Sequence, residues 1–524
     1  MLALFATPLT HAASNDEGVA TAEQRQWIED MKAAPRGPFS RIRWFCADGS
    51  VLPPKPYACG ERGGGIQHGE LNEQAKALRA SGFEIANILA EIDAASFLRE
   101  SDFRQRLGQI LIEQFLIQID DGWILRKARF YRGALQEEDE RRGGRELLLA
   151  LLAEQRLIGR DYALLRSAVG FLPHGVDSQS ATRVRQLSAS LADRDRDFVQ
   201  IKNKIHVKPE LGDAATVRDY AARVRDAELK KSYLELASAV EQVYGRSSAR
   251  QAIARFNREA RSAPAALKSQ LDAVSSAFDA NPEPARRFAL LGGLLAALRD
   301  HLPELKPASQ RLAAMDLGLQ LEAEMFAIGS QLRDPQFRPS RGMRLRLLGD
   351  SIAAIYAAGL VSPRQRAALE QSLERLSAEQ VALDVYKREL DQLALVPGWA
   401  AQRLQFHFGE AMQRLSSLEP KSTRFFDDTL RGSMLFVYAD LLDTLLRDAN
   451  RMAGVRNELF GEDLGAGLRA LNPGLARGRL LPAPGAGQRF AEDGIYILPE
   501  TEADLPPVAG ILTAGEGNPL SHVQ

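Results

Sequence analysis

The sequence of 524 residues has only two cysteines, seven histidines and 7% aromatic residues, and it lacks an excess of charge of either sign. Because 67 basic residues balance 68 acidic ones, no basic field covers the whole surface, and we expect no nucleic-acid partner. Beyond the N-terminus no apolar run approaches the roughly 20 residues of a membrane-spanning helix, so no membrane span is predicted. The cysteines and histidines show neither CxxC nor HExxH spacing, and we predict no metal site.

Hydrophobic residues make up 45% of the chain, which is long enough for about three or four domains with cores of their own. Good helix formers dominate residues 71–472, where Gly and Pro fall mostly between segments. We therefore predict a mainly α fold. A Pro- and Gly-rich segment covers 14–70, a large irregular helical region in two lobes covers 71–472, and a domain of another type covers 473–524.

The periodicity of apolar residues predicts helices over roughly 71–98, 101–118, 144–168, 214–242, 247–260, 285–300, 308–332, 343–359 and 423–452. A further long helix begins after Ser362, a good N-cap that is followed by proline in the first helical position. Leucines recur every seven residues from Leu369 to Leu390, which indicates one packing seam. The Val-Pro-Gly sequence at 396–398 ends this helix, and residues 399–418 form its antiparallel partner.

Three charged or aromatic segments lead to separate predictions. Residues 115–135 place an Asp-Asp-Gly turn between runs rich in Ile, Trp, Phe and Tyr, which favours a β-hairpin. Basic residues alternate with other types over 202–208, which indicates a strand with one basic face. The acidic run 137–140 is expected to be a solvated loop or the start of a helix.

The N-terminus, residues 1–13, is apolar and ends in small residues, as the hydrophobic and cleavage regions of a secretory signal do. A basic n-region is missing from it. Two interpretations therefore stay open: the signal peptide of an exported, periplasmic protein, or an apolar terminus of a cytoplasmic one. The pattern favours export.

Cys46 and Cys59 lie in a stretch whose proline and glycine content argues against regular structure. In an oxidising compartment they would close one local loop, which the chain-entropy model values at about 3 kcal/mol. The rival is a metal site with His68 as a third ligand, which the missing CxxC spacing disfavours. A disulfide, or two unpaired thiols, is the better prediction, and a disulfide agrees with export.

The last segment carries the clearest functional pattern. Strand-like runs occupy 478–481, 494–498 and 508–512, each bounded by Gly, Pro or acidic turns. A glycine-containing loop follows the third run and leads to Ser521 and His522.

This order of elements resembles the swivelling phosphohistidine domain of phosphoenolpyruvate synthase, pyruvate phosphate dikinase and the glucan water dikinases. The matching parts are the Pro-Gly-x-Ala-x-Gly turn at 473–478, the Asp-Gly strand at 493–498, the Gly-Ile-Leu-Thr strand at 510–513 and the Ser-His pair. The resemblance covers only the residues from 473 onward. It implies an α/β domain in which His522 carries the phosphoryl group and Ser521 lies beside it.

The resemblance also implies a phosphate-binding loop with Thr513, Gly515, Gly517 and Asn518, and it implies ATP and Mg²⁺ as requirements of the complete enzyme. The chemistry is reasonable on its own terms. A histidine at a helix N-terminus behind a glycine loop presents a ring nitrogen to phosphorus, while free backbone N–H groups bind the phosphate oxygens.

The family domain continues beyond its histidine, so we expect this chain to be the N-terminal part of the enzyme, inactive without a nucleotide-binding domain. The phosphoryl acceptor would be a small molecule or a glycan; no cofactor is predicted within the chain, and the oligomeric state stays open. The alternative function is that of an exported helical binding or scaffold protein with a non-catalytic swivel-like tail. The signal-like start and the cysteine pair favour this alternative.

Overall fold

The structure is a computed structural model that describes residues 19–55, 58–127, 134–175, 179–207, 212–244, 249–280, 282–332, 339–455, 458–459, 462–463, 476–482, 490–498 and 508–513. Helices dominate these residues and the sheets are small, so the predicted mainly α fold is confirmed. Among the described helices, none combines the length and the apolar composition that a membrane span requires. The chain divides into two compact units, Met1–Gly143 with Phe408–Thr423 and Gly144–His407 with Arg424–Gln524.

The first unit combines short helices with one small sheet. A capping box begins its first helix: the Thr21 hydroxyl accepts from the backbone N–H of Gln24, and the Thr21 N–H donates to the Gln24 side chain. Its elements are α1 (Ala22–Ala33), β1 (Phe39–Cys46), β2 (Val51–Leu52), β3 (Gly65–Leu71), α2 (Glu73–Ala80), α3 (Ala94–Phe97), α4 (Phe103–Ile119), α5 (Ile124–Lys127), and parts of α6 (Ala134–Ala153) and α20 (Val396–Leu418).

The sheet has the strand order β2-β1-β3, and both pairs are antiparallel. Cys46 pairs with Gly65 at the end of the β1–β3 ladder and forms a disulfide with Cys59, with 5.3 Å between the two Cα atoms. These strands correct the prediction that the cysteine-containing stretch lacks regular structure. Gly49 and Gly63 lie in the turns on either side of β2 and take positive φ angles of 81° and 80°. Glycine adopts this left-handed conformation without the steric cost that a Cβ atom brings.

The predicted β-hairpin over 115–135 is wrong. Its first part belongs to α4 and its middle to α5, whereas residues 128–133 lie outside the described residues. Even polar side chains of α4 are buried, including Gln109 and Glu113. The helix predicted over 101–118 corresponds to α4, so the hairpin prediction fails at the end of that helix and in α5.

The single helix predicted over 71–98 is also wrong, because α2 ends at Ala80. Gly82 follows with a φ of 83°, a left-handed conformation that commonly ends helices. Beyond it lies a largely irregular segment, residues 83–91, which contains only a short 3-10 turn at Leu89–Glu91. We call it the 83–91 segment.

Side chains of neighbouring helices accept hydrogen bonds from the backbone of the 83–91 segment. Gln109 accepts from Glu84 N at 3.1 Å, and the carboxylate of Glu113 accepts from Ala86 N at 2.7 Å and from Asn87 N at 3.0 Å. Because backbone N–H groups are costly to bury without a partner, these acceptors allow an irregular segment to pass through the interior.

The acidic run 137–140 lies near the start of α6, as one of the two predicted alternatives has it. It is not solvated, because Asp139 and Glu140 are buried. Asp139 accepts from the backbone N–H of Gln67 at 2.9 Å, and Glu140 accepts from that of Leu89 at 3.0 Å. Gln67 lies on β3, an edge strand of the sheet. Asp139 thus satisfies an edge N–H group that would otherwise be available to another strand.

The second unit is a large helical assembly followed by short strands. Its helices are α7 (Gln155–Arg160), α8 (Tyr162–Phe171), α9 (Gln179–Arg194), α10 (Val199–Val207), α11 (Gly212–Arg223), α12 (Ala227–Tyr244), α13 (Ala249–Glu259), α14 (Ala265–Asp279), α15 (Pro284–His301), α16 (Ala308–Gln331), α17 (Arg341–Ala357), α18 (Pro363–Leu376), α19 (Leu383–Leu393), α21 (Arg424–Arg431) and α22 (Leu435–Met452), with the remaining parts of α6 and α20. Its strands are β4 (Glu458–Leu459), β5 (Glu462–Asp463), β6 (Arg479–Pro482), β7 (Gly494–Leu498) and β8 (Gly510–Thr513).

Several element predictions in this unit need correction. The helices predicted over 144–168, 214–242 and 423–452 are interrupted, the first near residues 154 and 161, the second at 224–226 and the third at 432–434. Residues 396–398, predicted to end a helix, are instead the first residues of α20.

The long helix after Ser362 has the predicted cap, but it is two helices, α18 and α19, that pack against each other. The leucine seam continues across the break, which is why a single helix was predicted. The predicted basic strand over 202–208 belongs largely to α10, where Ile205 is buried in a core formed with α9, α11 and α12.

The core of the second unit centres on α15, which packs against α14, α16 and α17. The apolar residues of α15 are buried, among them Phe288, Leu291 and Leu295. Arg166 and Glu322 form a buried ion pair between α8 and α16. This body is a packed scaffold with a buried ion pair between two of its helices.

Candidate functional site

The tail forms a three-stranded parallel sheet in the order β6-β7-β8. Leu480 pairs with Ile495, and Ile497 pairs with Leu512, so the strands are in regular register. The predicted strand-like runs coincide with these strands to within two residues. A parallel arrangement requires that each connection returns across the sheet, as in α/β domains.

The amino-terminal edge of this sheet has a well-defined hydrogen-bond network. The guanidinium of Arg479 donates to both carboxylate oxygens of Asp493 at 2.8 and 2.9 Å, which links the starts of β6 and β7. The phenol oxygen of Tyr496 accepts from the backbone N–H of Ala491 at 2.6 Å, and its ring contacts Phe490. Arg479 and Asp493 are both exposed, so we expect this ion pair to align the two strands but to contribute little to the free energy of unfolding.

Gly478 precedes β6 where the chain comes close to its neighbour. A Cβ atom at this position would overlap the carbonyl oxygen of Asp493 and lie 3.0 Å from Cβ of Ala509. Glycine is therefore required at this position, because a side chain would not fit. Gly478 is the last glycine of the Pro-Gly-x-Ala-x-Gly turn, so this part of the predicted motif has a structural reason.

The two faces of the sheet differ in burial. Along β7, Tyr496 and Leu498 are 4% and 3% exposed, whereas Ile497 between them is 43% exposed. Leu480 and Leu512 lie on the same face as Ile497 and are 49% and 37% exposed. Ile511, which lies on the same face as Tyr496, is also 37% exposed, so the two faces differ clearly in burial only at the central strand β7.

The carboxyl ends of the three strands lie at one edge, where Pro482 is next to Ile497 and Leu498 pairs with Thr513. Open parallel sheets bind their ligands beyond this edge. The backbone of Thr513 is thus placed at the edge where the predicted phosphate-binding loop begins. The other predicted residues, Gly515, Gly517, Asn518, Ser521 and His522, lie outside the described residues.

His68, on β3, has both ring nitrogens next to oxygen acceptors. Nδ1 lies 3.1 Å from the carbonyl oxygen of Gly69, and Nε2 lies 3.0 Å from Oε1 of Glu91. Since neither acceptor can donate, both nitrogens carry a proton when both contacts are made, and the ring is then a cation. Burial lowers the pKa of His68, but the hydrogen bond and charge of Glu91 outweigh it, so the pKa is raised.

His174, in the second unit, also has an oxygen acceptor next to each ring nitrogen. Its Nδ1 lies 2.7 Å from the carbonyl oxygen of Leu172, and its Nε2 lies 2.9 Å from Oδ1 of Asp316. A histidine with both nitrogens donating has no lone pair for a phosphoryl group or a metal ion. His68 and His174 are therefore poor candidates for a phosphorylated histidine.

Two further histidines have described side chains. His301 ends α15, with Nδ1 at 2.7 Å from Oε1 of Glu304. His407 is buried, and its Nδ1 lies 4.0 Å from Oδ1 of Asp161. Each of these histidines has a carboxylate as its neighbour, and neither lies beside a glycine loop.

The pairs His68–Glu91 and His174–Asp316 were not predicted from the sequence. Asp316 lies 142 residues from His174, so no local spacing could indicate the contact. Glu91 falls in the 83–91 segment, which the periodicity assigned to a helix. Only the folded chain brings these partners together.

The described residues offer no group of three or more His, Cys, Asp or Glu side chains suited to a metal ion. Cys46 and Cys59 are joined in the disulfide, so their thiolates cannot bind a metal ion together with His68. The donor set required by Mg²⁺, oxygen ligands in an octahedral arrangement, is therefore not assigned to any described residue.

The comparisons with known proteins leave the family of this chain open. Protein-family models, curated proteins and solved structures gave no significant match. The functional proposal therefore depends on the residues, the strand register and the chemistry that they permit.

Proposed function

We propose that this chain belongs to a phosphotransferase similar to phosphoenolpyruvate synthase and the dikinases, in which His522 carries the phosphoryl group. The observation that carries the proposal is the parallel ladder of β6, β7 and β8, with Thr513 at its carboxyl edge. Beyond this edge the sequence continues through a glycine-containing loop to Ser521 and His522. Phosphate sites commonly lie where a glycine loop follows a parallel strand.

In the proposed reaction a lone pair on a ring nitrogen of His522 attacks the phosphorus of the donor. The N–P bond forms while the donor's P–O bond breaks, and the bonding pair leaves with the donor oxygen. In the second step an oxygen of the acceptor attacks the same phosphorus, the N–P bond breaks, and the acceptor proton passes to a base. The covalent intermediate divides one difficult transfer into two.

The residues around His522 receive supporting roles in the proposal. Ser521 orients the imidazole ring through its hydroxyl group. The backbone N–H groups of Gly515 and Gly517 and the side chain of Asn518 bind phosphate oxygens, as N–H groups of glycine-rich turns do elsewhere. Thr513 supplies a hydroxyl at the end of β8.

The proposal includes ATP and Mg²⁺ as the source of the phosphoryl group, because the family that the tail resembles uses them. A bound Mg²⁺ would neutralise charge on the transferred phosphate. The nucleotide site is assigned to no residue of this chain. The acceptor is a small molecule or a glycan with a nucleophilic oxygen, and the helical second unit would position it.

A second candidate is an exported helical binding or scaffold protein with a non-catalytic tail. The specific observation in its favour is the disulfide between Cys46 and Cys59, since such bonds persist in oxidising compartments. Compartments outside the cytoplasm generally lack ATP. The two candidates therefore differ in whether His522 is ever phosphorylated.

The experiment that separates them is phosphorylation of the full-length protein with γ-labelled and β-labelled ATP in the presence of Mg²⁺. We expect acid-labile, base-stable label in the wild type and none in His522→Ala. Label from the β position would indicate a dikinase, and label from the γ position a simple kinase.

The matched control is His301→Ala, which removes a histidine at the end of α15 and should leave labelling unchanged. Circular dichroism of every variant establishes that it is folded. Absence of label from a folded wild-type protein would favour the binding or scaffold function.

A further inference from the structure

His68 lies where the sheet of the first unit meets the 83–91 segment. Its ring is 6% exposed and stacks on Phe45 with 4.1 Å between ring centroids and 5° between ring planes. The stacking holds the ring in the plane in which Nε2 contacts Glu91. The histidine is thus a bridge between β3 and the 3-10 turn at the end of the segment.

The charged groups around His68 come from several elements. Glu91 contributes its carboxylate from the segment, and Glu140 on α6 adds a favourable charge. Asp139, also on α6, binds the neighbouring N–H of Gln67 and pairs with Arg142. This carboxylate-rich side favours the imidazolium form.

On the sheet itself, His68 pairs in register with Arg43 of β1. Arg43 donates to the carbonyl oxygen of Ile42 at 3.0 Å and is half-buried. Two residues along the ladder, Arg41 and Glu70 form an ion pair near the surface. Arg43 is thus the cation that pairs in register with His68 on the sheet.

Other contacts of the 83–91 segment do not involve an imidazole. Glu113 binds Ala86 N and Asn87 N, and Glu140 binds Leu89 N. At Glu91, the only contact with β3 that the described residues show is the one to His68. Ala86 has a φ of 54°, a left-handed conformation that costs energy for a residue with a Cβ atom. The segment is therefore held in place by its acceptors, with His68 holding its far end.

We propose that His68 is a pH-sensitive latch that, as an imidazolium, holds the Leu89–Glu91 turn against the three-stranded sheet and releases it when the ring loses a proton. The reason is the two-acceptor geometry. A neutral imidazole donates through one nitrogen only, so at most one of the two hydrogen bonds survives, and in either tautomer the ring loses the positive charge that attracts the Glu91 carboxylate.

The direction of the pH effect follows from linkage. The pKa of His68 is raised in the folded chain above the ordinary value, about 6.5. The contact with Glu91 therefore contributes fully below about pH 6.5 and is lost as the pH rises through the folded-state pKa. We expect a latch that is closed in acid and open in base.

The test is amide hydrogen exchange of residues 89–92 in the full chain, with the intrinsic exchange rate divided out at each pH. From about pH 6 to about pH 9, a range that spans the ordinary histidine titration, we expect protection in the wild type to fall at least threefold. In His68→Gln, which keeps a neutral donor, protection should not depend on pH. The control His301→Gln alters a histidine of the other unit and should behave as the wild type.

A second measurement starts from the wild type and does not depend on whether His68→Gln folds. An NMR titration of the imidazole ring in the wild type should give His68 a pKa above the ordinary value, and Glu91→Gln should lower that pKa. A wild-type pKa at or below the ordinary value would overturn the latch. So would protection that changes with pH to the same extent in the wild type and in His68→Gln.

Discussion

Leu498 and Thr513 pair across two parallel strands, so β7 and β8 end at the same edge of the tail sheet. The predicted phosphohistidine loop begins directly after Thr513. The proposed chemistry depends on this edge being formed, which makes the integrity of the small sheet the first property to test.

Gly478→Ala should destabilise the tail sheet. The new Cβ would overlap the carbonyl oxygen of Asp493, which is backbone and cannot rotate away. We expect a loss of about 1–3 kcal/mol, as for other overpacked sites. Hydrogen exchange of residues 494–498 measures it. Gly510→Ala is the matched control, because its Cβ would lie at 3.4 Å or more from its neighbours and should change little.

Removal of the disulfide between Cys46 and Cys59 should destabilise the first unit. The bond joins residues 13 apart in the sequence, and the chain-entropy model gives about 3 kcal/mol for a loop of this size. Urea unfolding followed by tryptophan fluorescence measures it, since Trp27, Trp44 and Trp123 all lie in this unit. In the Cys46→Ser, Cys59→Ser double variant a reductant should have no further effect, and an equal midpoint with and without reductant in the wild type would contradict the prediction.

Asp316→Asn should lower stability in acid more than in base. Burial lowers the pKa of His174, but the hydrogen bond and charge of Asp316 raise it further, so the net shift is upward. The pair therefore stabilises the fold below about pH 6.5 and ceases to do so as the pH rises through the folded-state pKa. Because the Asp316 side chain is one-third exposed, we expect about 1 kcal/mol near pH 6 and almost none near pH 9.

Urea unfolding at the two pH values, followed by hydrogen exchange of α16, measures this difference. His174→Gln should remove the pH dependence of the Asp316→Asn effect, since the two residues act as one pair. Equal effects of Asp316→Asn at both pH values would mean that His174 is not a cation in the folded chain.

Glu113→Gln should be strongly destabilising although it preserves size. The carboxylate accepts N–H bonds from Ala86, Asn87 and the indole of Trp123. An amide would turn its NH₂ group toward these donors, which leaves buried groups unsatisfied, and we expect a loss of about 2–4 kcal/mol. Urea unfolding by tryptophan fluorescence measures it. Glu138→Gln, at an exposed position of α6, is the control and should be close to neutral.

Much of the helical body could be predicted because amphipathic helices carry their own period. Residues 285–300, 308–332 and 343–359 correspond to α15, α16 and α17 within a few residues. The tail strands could also be predicted, since short apolar runs there are bounded by Gly and Pro. Both patterns depend only on neighbouring residues, so they can be recognised without knowledge of the fold.

The predictions that failed concern residues whose environment depends on distant parts of the chain or whose pattern fits two kinds of element. Residues 115–119 end α4 and 124–127 form α5, but their apolar and aromatic runs also fit strands, so the pattern favours a hairpin there. Asp139 and Glu140 appeared as a solvated acidic run because their acceptor role depends on Gln67 and Leu89, which are distant in sequence. Long-range hydrogen bonds of this kind leave no spacing signal in a single sequence.

The central claim is that His522 accepts a phosphoryl group. The most direct measurement is mass spectrometry of the full-length protein after incubation with ATP and Mg²⁺, digested and analysed at neutral to basic pH, where phosphohistidine is stable. The proposal predicts phosphate on the peptide that contains His522, and its loss in His522→Ala but not in His301→Ala. A folded wild-type protein with that peptide unmodified, or with phosphate on another histidine, would contradict it.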